Sequence, residues 1–162
     1  MGYDFSMKTR HCFLLLSVLA LGSSCLAAEK TDKKVIVPPG PRSTSPFSPG
    51  LLVGNTLYIA GQIGRDDNGK IPESFEDEVK QTLENVGKVL KEAGMSFGDA
   101  VSSQVFLTDM TLFDRMNGVY REFFPEPRPV RTTVGVAKLV GTARIEITII
   151  AHATKAGKKN KK

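Results

Sequence analysis

The sequence predicts an α+β domain in which two helices cover one face of a twisted, mostly antiparallel sheet. Short runs rich in β-branched and aromatic residues alternate with two helical patterns in the order β-β-α-β-α-β-β. The chain of 162 residues is long enough for one ordinary domain. The sequence contains no internal repeat.

Residues 1–28 are predicted to be a signal peptide rather than part of the fold. A basic stretch from Met7 precedes the apolar run CFLLLSVLAL, and small residues surround Ala27 and Ala28. The run is too short to span a bilayer as a helix. We therefore expect an exported protein, periplasmic or secreted, without a transmembrane span. Lipidation at Cys25 and a buried core helix are the alternatives.

The composition separates the ends of the chain from its centre. We expect an extended or disordered linker over residues 29–48, a domain over residues 49–153 and a basic disordered tail over residues 154–162. Residues 51–153 contain 11 Lys and Arg against 14 Asp and Glu, a formal charge of −3. An acidic domain without a basic, aromatic-rich stripe argues against nucleic acid as a partner.

The first half of the domain predicts a hairpin followed by a helix. Two β-rich runs flank Gly54-Asn55, a two-residue turn that opens with glycine. Apolar residues then recur at spacings of three and four from Phe75 onwards. Ser74 is placed to cap the start of this helix, and Gly94 ends it.

The second half predicts a strand, a helix and two further strands. The run AVSSQVFL alternates as a strand does. The next helix has Phe113, Met116, Tyr120 and Phe123 on one side and stops at Pro125. The runs over residues 131–139 and 143–153 then predict a closing hairpin.

A carboxylate in the apolar run ARIEITIIA raises the question of what this strand does. A tight hairpin turn at Val140-Gly141 would place Glu146 opposite Gly135, and Arg131 on the same sheet face about 13 Å away. That face is half apolar and needs a cover, so we expect it to pack against other copies of the chain. Such packing would bring Arg131 of one copy toward Glu146 of the next. The alternative is two solvated charges on an exposed strand.

Several classes of site are disfavoured. The sequence contains no dinucleotide-binding or Walker glycine motif. His152 is the one histidine after the leader, and both cysteines lie within the leader, which disfavours a zinc site and a structural disulfide. A Ser-His-Asp triad through His152 lacks a nucleophile-elbow motif. The glycines of IAGQIG favour close backbone packing over a phosphate cradle.

The segment PVRTTVGVAKLVGTARIEITIIA resembles the C-terminal signature of the reactive intermediate deaminase family, also called the Rid or YjgF-like family. LYIAGQIG and MNGVYREFFPEPRP resemble two further motifs, so the resemblance covers residues 46–153. It implies a chorismate-mutase-like homotrimer with a cleft at each subunit boundary. It also implies hydrolysis of enamines and imines, such as 2-aminoacrylate and 2-iminopropanoate, to a 2-keto acid and ammonia, without a metal or organic cofactor.

The resemblance also implies roles for three residues. The family's carboxylate-binding arginine falls on Arg131, its acidic residue on Glu146 and its helix asparagine on Asn117. A planar guanidinium can bind a substrate carboxylate through two parallel hydrogen bonds. A carboxylate can orient a water molecule and pass a proton to the departing nitrogen.

Three substrate-binding positions depart from the family pattern. Phe47 stands where the family often has tyrosine, Ala60 replaces the serine of its SGQ strand, and Thr133 replaces a cysteine. We expect the reaction to survive these changes with a shifted substrate range. Two alternatives stay open: a non-catalytic trimer that binds small carboxylates, and a ribonuclease or chaperone-like activity.

Overall fold

The structure is a computed structural model that describes residues 32–40 and 45–153. The predicted signal peptide, Cys25 included, and the predicted basic tail over residues 154–162 lie outside the described residues. In the described ranges, no helix combines the length and the apolar character needed to cross a membrane.

The described residues form one mixed, mostly antiparallel sheet with two α-helices on one face, as predicted. The strands lie in the order β1-β2-β3-β6-β4-β5, and only the β4–β5 pair is parallel. Their bounds are β1 Lys33–Ile36, β2 Gly50–Val53, β3 Thr56–Ile63, β4 Ala100–Leu107, β5 Val130–Gly135 and β6 Ile145–His152. The helices are α1 Phe75–Glu92 and α2 Phe113–Phe123.

The strand β1 lies inside the segment predicted to be a linker. It pairs antiparallel with β2, with Lys33 opposite Val53 and Ile36 opposite Gly50. Ile36 is buried in the core. Residues 33–36 therefore belong to the sheet, because their backbone groups bond to β2 and their last side chain is covered.

The predicted first hairpin and both helices are confirmed. Gly54 adopts a left-handed conformation (φ +58°) in the turn between β2 and β3. The Ser74 side chain accepts a hydrogen bond from the backbone N–H of Asp77 and so caps α1. Gly94, also left-handed (φ +72°), follows the end of that helix.

The core lies between the helices and the inner face of the sheet. Strand β6 contributes the alternate residues Ile145, Ile147, Ile149 and Ala151, each at most 1 % exposed. The helices cover them with the apolar side chains of Phe75, Val79, Leu83, Val86 and Met116, among others. Burial of each large aliphatic or aromatic side chain contributes about 1.5–3 kcal/mol to folding.

The predicted hairpin between the last two strands is wrong. Strand β5 pairs in parallel with β4 at the edge of the sheet, and β6 lies between β3 and β4. The chain from β4 through α2 to β5 is a crossover, which is the connection that parallel neighbours require. The apolar sequence of β6 suits its place in the middle of the sheet, because neighbouring strands are hydrogen-bonded to both of its edges.

An ion pair with a fully buried carboxylate joins α1 to the residue that precedes β6. The Glu78 side chain is fully buried and accepts a hydrogen bond from Arg144 Nε at 2.6 Å and another from the Arg144 backbone N–H at 2.7 Å. Arg144 Nη2 also donates to the carbonyl groups of Pro72 and Glu73. This network fixes the backbone two residues before Glu146.

We expect Glu78→Gln to lower the free energy of unfolding by about 2 kcal/mol, because it weakens charged hydrogen bonds to a guanidinium that is itself partly exposed. The matched control is Glu76→Gln, which breaks the solvent-exposed pair with Arg115 and should cost less than about 1 kcal/mol. Urea denaturation of both variants measures the difference. Equal losses would contradict an anchoring role for Glu78.

Candidate active site

Glu146 projects from the face of the sheet that the helices leave uncovered. Its neighbours in β6, Ile145 and Ile147, are buried under the helices, so alternation turns Glu146 outward. Phe106 of β4 and Ile63 of β3 lie directly opposite it in the adjacent strands.

Arg131 projects from the opposite face, so the prediction that the two charges share a face is wrong. Arg131 lies opposite Ser103, which is 1 % exposed and points toward the helices. The predicted hairpin placed Arg131 at the level of Ile150, whereas Ser103 pairs with Ile149. A difference of one residue in register moves a side chain to the other face.

Helix α2 holds the Arg131 guanidinium. Its Nη2 donates to Asn117 Oδ1 at 2.8 Å, and its Nη1 lies 3.8 Å from Met116 Sδ. The guanidinium carbon sits 4.7 Å from the Tyr120 ring centroid and 5.6 Å from that of Phe113. These contacts restrict the long side chain to one orientation before a ligand arrives.

Arg131 and Asn117 line a cleft of about 420 Å³, which we call the arginine cleft. The other lining residues are Tyr120, Arg121, Pro129 and Arg128. It opens beside β5, one of the two edge strands of the sheet.

Three buried hydroxyl groups lie beside Arg131, from Ser103, Tyr120 and Thr133, and none has a hydrogen-bond partner within the described residues. Thr133 follows Arg131 by two positions on the same side of β5. Burial raises the pKa of the Tyr120 phenol, while the nearby Ser103 hydroxyl and the Arg131 and Arg128 guanidiniums lower it in part. Although Ser103 is close to the phenol, no hydrogen bond of ordinary geometry joins them. The phenol is therefore protonated at neutral pH and able to donate.

Glu146 lines a second cleft, of about 510 Å³, which we call the glutamate cleft. Its lining consists of Ser45, Phe47, Ala60, Gly61, Ile63, Arg65, Val140 and Glu146. An irregularity in the β3–β6 pairing falls between Ile59 and Gln62. A bulge of this kind re-aims the backbone, and here it brings Gly61 against the carboxylate.

The predicted site residues therefore fall into two half-sites within one chain. Arg131, Asn117 and Thr133 lie at the arginine cleft or beside it. Phe47, Ala60 and Glu146 lie at the glutamate cleft. Since Arg131 and Glu146 project from opposite faces, one copy of the chain does not bring them together.

The uncovered face carries large apolar side chains in solvent. Tyr58, Val130 and Val134 are 48 %, 72 % and 40 % exposed, and each lies opposite a residue of this face in the neighbouring strand. A shallow cavity of about 170 Å³ lies among Tyr58, Gln104, Thr148 and Ile150, with others. Exposed apolar patches of this kind are typical of surfaces that bind other proteins.

Residues 39–153 match the protein family described as Endoribonuclease L-PSP, and the curated relatives carry Rid-type and RutC names. The chain belongs to the Rid family. A 2-iminobutanoate/2-iminopropanoate deaminase of Dermatophagoides farinae is 37 % identical over 123 residues, covering 74 % of this chain and 96 % of the relative. The Bos taurus protein of the same name is 39 % identical over 113 residues, 68 % of this chain and 82 % of the relative.

Solved structures of Rid relatives have the same chorismate-mutase-like fold. The crystal structure of Escherichia coli TdcF with bound serine has a TM-score of 0.70 and 34 % sequence identity, and the match covers 75 % of this chain and 99 % of that one. The predicted fold class of this Rid protein is thereby confirmed.

Sequence reasoning missed several residues of the two Rid half-sites. Arg121 follows Asn117 by four positions on α2, a helical spacing that could have placed both at one cleft. Arg65 and Arg128 lie in irregular segments between helices and strands. In such segments no periodic pattern indicates which way a side chain points. In the described ranges, no three His, Cys, Asp or Glu side chains come together as metal ligands could.

We expect Gly61→Ala to displace the Glu146 carboxylate by at least about 1.5 Å, because a Cβ at position 61 would lie 1.8 Å from Glu146 Oε1. The matched control is Gly118→Ala on α2, where a Cβ meets nothing within 4 Å. Crystal structures of both variants measure the displacement. An unmoved carboxylate in Gly61→Ala would contradict the described contact.

Proposed function

We propose that this Rid protein hydrolyses reactive 2-imino acids and their enamine tautomers, such as 2-iminopropanoate and 2-aminoacrylate, to 2-keto acids and ammonia. The observation that carries the proposal is the pre-positioned Arg131 guanidinium, held by Asn117 and Tyr120 at the mouth of a cleft. Relatives named 2-iminobutanoate/2-iminopropanoate deaminase support the same reaction class.

The active unit in this proposal is an oligomer, because one chain holds only half-sites, and the resemblance to the Rid family implies a homotrimer. Packing of a neighbouring copy on the uncovered face and the β5 edge would join the arginine cleft of one copy to the glutamate cleft of the next. The exposed apolar side chains of Tyr58, Val130 and Val134 support such packing. They would supply the buried apolar surface that a stable interface requires.

The mechanism assigns binding to Arg131 and proton transfer to Glu146. Two parallel N–H···O bonds from the guanidinium hold the substrate carboxylate and so position the C=N carbon. Glu146 of the neighbouring copy accepts a proton from a water molecule as its oxygen attacks that carbon. The C=N electron pair moves to nitrogen, which already carries the extra proton of the iminium form, and a neutral carbinolamine results. Glu146 then returns its proton to the amine, and the C–N bond breaks as the hydroxyl group gives its proton to the departing ammonia, so that a 2-keto acid and an ammonium ion leave.

The three residues that depart from the Rid pattern affect which substrates bind and not the steps of the reaction. Phe47 and Ala60 leave the glutamate cleft without the hydroxyl groups of tyrosine and serine, each of which could contribute a hydrogen bond worth about 1 kcal/mol. Thr133 adds a hydroxyl beside Arg131 in place of a thiol. A narrower or altered substrate range follows from these exchanges.

We expect the protein to lower the yield of semicarbazone when 2-iminopropanoate from an amino-acid oxidase is trapped with semicarbazide. Arg131→Ala and Glu146→Gln should each reduce this activity at least about tenfold, because charged hydrogen bonds are lost. Arg115→Ala, which removes a surface arginine paired with Glu76, should retain it.

Other outcomes of this assay point to other functions. A wild-type protein that binds pyruvate without lowering semicarbazone yield would be a carboxylate-binding trimer and not a deaminase. RNA cleavage that persists in Arg131→Ala would favour a ribonuclease.

The shared site is tested by mixing two inactive variants. After joint dissociation and reassembly, Arg131→Ala and Glu146→Gln should recover about one quarter of wild-type activity, since random mixing gives one site in four both intact residues. The control mixes Glu146→Gln with the double variant, which contains no intact glutamate and should stay inactive. Light scattering should find three chains per particle. Absence of recovery in mixed trimers would overturn the shared-site model.

A further inference from the structure

The arginine cleft contains more positive charge than one substrate carboxylate requires. Three guanidinium groups line it, from Arg121, Arg128 and Arg131. The described lining includes no acidic side chain. Arg131 alone accounts for the carboxylate next to the imine, which leaves two arginines without a part in the proposed reaction.

The two additional arginines are incompletely neutralised. Arg128 forms an ion pair with Glu126, and their side chains are 41 % and 69 % exposed. Arg121 is exposed in the last turn of α2 and has no ion-pair partner in the part of the chain that the structure describes. Like charges gathered around one cavity repel each other, so an anionic ligand relieves that repulsion.

A buried aromatic ring forms one wall of the same cavity. Tyr120 lines the cleft and is 3 % exposed, and its ring centroid lies 4.7 Å from the Arg131 guanidinium carbon. The ring therefore helps to fix the direction of the guanidinium at the cleft. The cleft volume of about 420 Å³ falls within the range of small-molecule sites.

We propose that the arginine cleft selects 2-imino acids that carry a second carboxylate on a short side chain, that is, imines of four- or five-carbon dicarboxylic acids. Arg131 binds the carboxylate beside the imine, and Arg128 and Arg121 bind the distal one. The two arginines are specificity-determining residues. This inference rests on the proposed deaminase function and names its substrate class.

The test compares 2-iminoglutarate, generated from glutamate by an oxidase, with 2-iminopropanoate in the semicarbazide assay. We expect kcat/KM to be higher for 2-iminoglutarate in the wild-type protein. Arg128→Gln and Arg121→Gln should each lower the ratio of the two kcat/KM values by up to about fivefold, the effect of one partly exposed charge pair, and the double variant should lower it further.

Two controls separate a local charge effect from a general one. Arg128→Lys keeps the positive charge and should retain most of the preference. Lys80→Gln removes an exposed charge from α1 and should leave the ratio unchanged. A drop in the ratio for Lys80→Gln equal to that for Arg128→Gln would overturn the assignment, because net charge alone would then explain the preference.

Failure of this inference is distinguishable from failure of the proposed function. Hydrolysis of 2-iminopropanoate without a preference for 2-iminoglutarate would overturn the inference and leave the deaminase intact. If neither imine is hydrolysed, titration calorimetry tests the selectivity of the cleft by comparing the affinities for 2-oxoglutarate and pyruvate. Tighter binding of 2-oxoglutarate that weakens in Arg128→Gln supports the selectivity, and equal affinities overturn it.

Discussion

The alternation of side chains along β6 is the constraint on which the rest of the structure depends. Its inward residues complete the core beneath α1 and α2, while Glu146, two positions after the Arg144 anchor, faces outward. Strands β3 and β4 bond to both edges of β6, so its register cannot slip without turning the core side chains into solvent. The carboxylate therefore occupies the surface of a rigid central strand.

The crossover from β4 through α2 to β5 decides where the arginine lies. It places β5 at the sheet edge and brings α2 directly over Arg131. The guanidinium is then held between two aromatic rings and an amide oxygen and does not extend freely into water. The same connection separates Arg131 from Glu146 and divides the candidate site between two clefts.

The local elements could be predicted because short-range chemistry determines them. Ser74, Gly94 and Gly54 mark helix ends and a turn through their own backbone preferences, and all three act as expected. Part of each half-site was also named from the sequence, because the resemblance to the Rid family indicates Arg131, Asn117 and Glu146. The partner strand of β5 was not predictable in this way. A run of β-branched residues pairs equally well with the next strand in sequence or with a distant one, and the pairing of Arg131 with Ser103 is settled only by packing of the whole sheet. The strand Lys33–Ile36 was not predicted either, because its charged and proline-rich surroundings resemble those of a linker.

The Glu78–Arg144 pair has a consequence for how this sequence can diverge. Glu78 is fully enclosed, and Arg144 reaches it with both side chain and backbone. Replacement of Arg144 alone leaves the Glu78 carboxylate without its counter-charge in a medium that solvates charge poorly, whereas the Arg144 side chain, 34 % exposed, still reaches water when Glu78 is replaced. Position 144 is therefore the more constrained of the two, and over evolutionary time we expect it to change only together with position 78 or after it.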